Sequence, residues 1–157
     1  MPTIEDEIMR EMTQEAERMR EVIVRDFLII GEQCVNHARM LPSLSRDDPA
    51  AARPHQPNYI DDTGNLRSSI GYVLVMDGEI ITMSSFEPIK NGEKGSKEGR
   101  SYAEEIAAKY PSGIVLVVVA GMHYAEYVAA RGYDVLDSAE LLAEQLINQL
   151  MQKLNQQ

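Results

Sequence analysis

Three histidines, one cysteine and a few neighbouring acids are the side chains best suited to chemistry here, and their spacing limits what that chemistry could be. His37, His55 and His123 fall on a helical stretch, a proline-rich stretch and a turn after an apolar run, so no two share the spacing a zinc site uses. His123 and Glu126 lie one helical turn apart, which offers two ligands where catalytic zinc takes three. Asp61 and Asp62 form an acidic pair, but adjacent side chains point apart, and Asp before Thr-Gly is ordinary turn chemistry. Cys34 lies in an apolar helical stripe, where a thiol packs as a small hydrophobe and burial raises its pKa. The serines lack a nucleophile-elbow pattern, and residues 92–99, GEKGSKEG, lack the Gly-Lys-Ser/Thr ending of a phosphate-cradling loop. No active site, metal site or cofactor is therefore expected. A hidden enzyme would have to be a small cytosolic hydrolase built on Asp62, His123 and Glu126.

The bulk properties agree with that reading. At 157 residues the chain has the length of one domain, and its 44% hydrophobic and 25% charged residues suit a globular fold. A net charge of −10 repels phosphate backbones over most of the surface. The one locally basic stretch sets Lys90, Lys94, Lys97 and Arg100 against Glu87, Glu93 and Glu98, too weak a balance for nucleic-acid affinity and without aromatics for stacking bases. One cysteine permits no intrachain disulfide, so a reducing cytosol is the default compartment. The acidic start and the short apolar run Ile114–Ala120 argue against a secretory leader and a membrane anchor.

The elements follow from periodicity. Ile4, Ile8, Met12, Ala16, Met19, Ile23, Phe27, Ile30, Cys34 and Ala38 recur at steps of three or four, which predicts a long helix over 1–40, capped by Thr3 with Asp6. Its first half is charged and should project, whereas its second half is apolar and should be buried. Four prolines make 41–62 a long loop and a candidate contact arm. Within 63–157, Tyr72–Met76 and Ile80–Ser84 flank Asp77-Gly78 as a type I′ hairpin. Residues 86–100, rich in Gly, Lys and Glu, read as an exposed flexible loop, and Ser101 as the cap of a short helix to 107 or 109. The β-branched run Ile114–Ala120 reads as the sheet's central strand. A final helix starts at a capping Asp137 or Ser138. The whole, 1–157, reads as a single α+β domain: a small, mostly antiparallel sheet of three to four strands packed by the long N-terminal helix and a C-terminal helix.

Two segments carry a resemblance. Thr63-Gly64-Asn65-Leu66-Arg67-Ser68-Ser69-Ile70 enters a strand, and Gly121-Met122-His123-Tyr124-Ala125-Glu126-Tyr127-Val128 leaves one. In this order, between a long N-terminal helix and a C-terminal helix, they resemble the tail-completion or head-tail joining (neck) proteins of long-tailed bacteriophages. The family's acid and aromatic after Tyr-Val are replaced here by Ala129-Ala130-Arg131-Gly132. The resemblance implies a structural virion protein of phage or prophage origin, assembled in the bacterial cytoplasm. It implies partners of three kinds: copies of itself in a ring, neighbouring tail proteins and the head connector. Independently of it, Gly64 suits positive φ, Leu66 and Ile70 fall one turn apart onto a sheet, and Ser68 and Ser69 can satisfy backbone groups. Tyr124 and Tyr127 then suit one core and one interface position. A helical adaptor outside any virus is the remaining alternative.

Overall fold

A computed structural model of the chain describes residues 1–41, 63–122, 125 and 135–156. The proline-rich stretch, His55, Asp61, Asp62, His123, Tyr124, Glu126 and Tyr127 lie outside the described residues. Helix α1 (Ile4–Arg39) opens with the expected box: the Thr3 hydroxyl accepts from the Asp6 amide at 3.2 Å, and the Thr3 amide donates to the Asp6 carboxylate at 2.8 Å. Residues 1–21 are exposed throughout, and burial begins in earnest at Ile30, Cys34, Val35 and Ala38.

After the single turn of α2 (Asn65–Ser68), strands β1 (Ile70–Met76) and β2 (Glu79–Met83) form the hairpin, with Asp77 at φ 51° and Gly78 at φ 86°. Both central residues have the positive φ that a type I′ turn demands. A bulge interrupts the ladder between Leu74 and Val75. Strand β3 (Ile114–Ala120) pairs antiparallel with β1 from Ile70–Ala120 to Met76–Ile114, so the three-stranded sheet has the order β2-β1-β3. The fold is α+β, with an antiparallel sheet and long helices at both ends of the chain.

Three sequence expectations are corrected. Among the described residues the central strand is Ile70–Met76, not Ile114–Ala120, which lies at an edge and is half-buried over most of its length. An unalternating β-branched run reports that both faces of a sheet are covered; it carries no information about the strand's place in the order. Residues 93–100, expected as a flexible loop, belong to helix α3 (Glu93–Ala107), and Ser101 sits inside that helix rather than at its cap. Finally, helix α4 (Asp137–Asn155) follows Leu136 as its N-cap and has no side-chain cap. The Ser138 hydroxyl instead lies 2.8 Å from the His37 ring.

Helices cover both faces of the sheet. On one, Ile30, Cys34 and Ala38 of α1 pack with Ile70 and Tyr72 of β1 and with Ala139 and Leu150 of α4. On the other, Val73, Val75 and Val119 meet Phe86 and Ala103 and Ala107 of α3. Alternate side chains of β1 go to opposite faces, and the strand is buried on both.

Candidate functional site

Of the side chains singled out for chemistry, Cys34 and His37 are among the described residues, one turned to packing and the other to the surface. Cys34 is buried among α1, β3 and α4 with its thiol 3.7 Å from the Ala139 carbonyl, and burial pushes its pKa up, away from the thiolate that a nucleophile needs. His37 is on the exposed side of α1 against Ser138. Among the described residues, no group of three or more His, Cys, Asp or Glu could hold a metal ion.

What the fold does build is a dense junction around residues 63–70. Gly64 stands at φ 81°, a left-handed conformation that admits glycine without strain, and it starts α2. The Thr63 hydroxyl accepts from the Asn65 amide at 3.2 Å. Leu66 and Ile70 are fully buried, and the serines between them are committed to the backbone: Ser68 accepts from the Ile89 amide at 2.8 Å, and Ser69 donates to the Leu66 carbonyl at 2.6 Å. The Ser69 carbonyl in turn accepts from the Gly121 amide at 3.1 Å, which fastens the start of β1 to the end of β3. The residues of the Thr-Gly-x-Leu-x-x-Ser-Ile motif thus hold four elements together.

Helix α3 seats on this junction through glycines. The Gly95 amide donates to the Asn65 side-chain carbonyl at 3.0 Å, and a Cβ on Gly95 would collide with the Asn65 main-chain carbonyl. A Cβ on Gly92 would lie 2.8 Å from the Gly64 carbonyl oxygen. Residues 92, 95, 99, 103 and 107 form one small-residue face at helical spacing, with Lys and Glu between them. Composition suggested a segment unable to bury surface. The periodicity of the small residues was the signal that could have found the helix, because here the glycines are themselves the buried surface. The link between Tyr72 and Glu32, a 2.7 Å hydrogen bond from β1 to α1, left no local signature at all.

Several surfaces among the described residues remain open for partners. Ile4, Ile8, Met9, Met12 and Met19 are exposed along the first half of α1. Strand β3 has one ladder edge paired with β1, and its other edge has no strand partner among the described residues. A half-open apolar cleft of about 350 Å³ lies between α1, β3 and α4, lined by Phe27, Cys34, Leu116, Val118, Leu136 and Ile147. No helix among the described residues is long and apolar enough to cross a membrane. In comparisons with known proteins, no family model matches the chain, and no curated protein or solved structure matches it.

Proposed function

We propose that this chain is a structural virion protein that joins or completes a phage tail at the head-tail interface, by self-association and by contact with neighbouring tail and connector proteins. The carrying observation is the junction at Thr63–Ile70: the motif that resembles the neck proteins lies between a long N-terminal helix and an antiparallel sheet, the order the resemblance implies. Supporting it, the motif's polar side chains serve the backbone rather than a substrate, and the exposed apolar stripe of α1 suits assembly. Under this reading the protein is not an enzyme, carries no cofactor and recognises no nucleic acid sequence. It is assembled in the host cytoplasm and resides in the neck or tail of the virion.

The test is genetic and compositional. Capsid, portal and tail reading frames should flank the gene, and mass spectrometry should find the chain in purified particles. Disruption of the gene should leave filled heads and separate tails. Replacing Asp62, His123 and Glu126 together by alanine should leave assembly intact, and loss of a measurable turnover in that folded variant would favour the hydrolase instead.

A further inference from the structure

Of the six asparagines in the chain, Asn91 alone is followed by glycine. A backbone amide attacks the asparagine side chain before it most easily when glycine supplies that amide, because no Cβ crowds the five-membered ring that forms. Asn91 is exposed, and among the described residues its side chain makes no hydrogen bond. The Gly92 amide donates none there either, since Gly92 is the N-cap of α3 and precedes its bonded turns. Both reacting groups are therefore unengaged. Lys90 stands at φ 55°, a left-handed conformation that a lysine holds at a cost, so the turn into α3 opens readily. The competing positions are held. Asp77-Gly78 could close the same ring, but the Asp77 carboxylate accepts from the Gly113 amide at 3.0 Å and lies 3.5 Å from Arg20. The Asn65 side chain accepts from the Gly95 amide at 3.0 Å, and Asn36 and Asn148 lie inside helices whose amides are bonded one turn back.

We propose that Asn91 is a self-modification site: in the folded chain it cyclises with the Gly92 amide and hydrolyses to aspartate and isoaspartate, and the isoaspartate unseats the start of α3. The Gly92 nitrogen gives up its proton and attacks Asn91 Cγ, the new C–N bond closes a succinimide, and the side-chain nitrogen leaves as ammonia. Solvent water then opens the ring. Attack at Cγ returns an ordinary aspartate, whereas attack at the main-chain carbonyl carbon leaves Gly92 joined through Cγ and lengthens the main chain by one methylene. The two products act differently on α3. An aspartate directly before the N-cap Gly92 puts a negative charge at the positive end of the helix, which is favourable. The longer link of the isoaspartate meets a fixed span. Upstream, Ser68 Oγ accepts from the Ile89 amide at 2.8 Å; downstream, Gly95 is fastened to Asn65. Between them Gly92 is packed so tightly that a Cβ would collide with Ser68 Oγ. An extra main-chain atom fits only if one of these two anchors lets go.

This inference is independent of the neck reading. The test ages the full chain in mildly alkaline buffer and follows it by peptide mapping and by methyl labelling with an isoaspartate methyltransferase. Asn91 should convert at close to the rate it shows in urea, while Asn36, Asn65 and Asn148 should convert more slowly by roughly tenfold or more. Asn91→Gln, whose longer side chain disfavours ring closure, should carry no label at the 91–92 link. The isoaspartate form should show a lower urea midpoint and faster amide exchange over 93–99, and Asn91→Asp should match the fresh chain in both. An Asn91 that stays intact in the native chain but reacts in urea would show that the fold guards it and would overturn the proposal. So would an isoaspartate form whose α3 exchanges like that of the fresh chain.

Discussion

The Gly99 backbone rests on the Ser69 carbonyl so closely that a Cβ at position 99 would stand 2.6 Å from its oxygen. Helix α3 therefore meets the start of β1 backbone to backbone. In an exposed helix, Gly→Ala stabilises by roughly 1 kcal/mol because alanine loses less entropy. Gly99→Ala should do the opposite here, costing about 2 kcal/mol through overpacking. Urea unfolding measures it, and an unchanged or raised midpoint would show that α3 does not seat on the junction.

The Tyr72 hydroxyl donates to Glu32 at 2.7 Å, and its pKa is pushed up to about 12, first by burial and then by the hydrogen bond and charge of Glu32. A folded pKa above the unfolded value near 10 means that the contribution is intact below pH 10 and is lost as pH rises toward and through 12. Tyr72→Phe should cost on the order of 1 kcal/mol at neutral pH. In a rapid pH-jump titration of tyrosinate absorbance, the folded chain should show a tyrosine that ionises near pH 12, and this variant should lack it.

Burial keeps the Cys34 thiol protonated and covered. Its reaction with a disulfide reagent at pH 8 should be slow in the native chain and speed up at least a hundredfold in denaturant, since both access and thiolate fraction rise on unfolding. Rapid native labelling would place Cys34 at a surface.

Residues 2–18 make no buried contact, whereas Leu66 is fully buried in the junction. Deleting 2–18 should change the urea midpoint little yet abolish assembly. Leu66→Ala should cost about 2–5 kcal/mol through the cavity it leaves. A truncated chain that unfolds would mean that the arm belongs to the core.

The sequence by itself determined the features whose causes lie within a few residues. Thr3 and Asp6 are three apart and cap α1; Asp77 and Gly78 are adjacent and turn the hairpin; Gly64 takes its left-handed φ directly before a helical turn. The projection of the outer half of α1 was equally legible, because charge density along one helix is a local property. Strand order was not, since Ile114–Ala120 and Ile70–Met76 are both apolar and only the pairing of Ile70 with Ala120, fifty residues away, puts β1 at the centre. The stretch 92–99 was misread for the same reason. Its glycines gain nothing from their neighbours in sequence and are helical because Asn65 and Ser69 offer a surface that only a bare backbone can approach. The Tyr72–Glu32 bond spans forty residues and likewise exists only once α1 lies across the sheet. Short-range signals set the elements, while the order of strands and the seating of α3 were decided by contacts that the folded chain alone brings together.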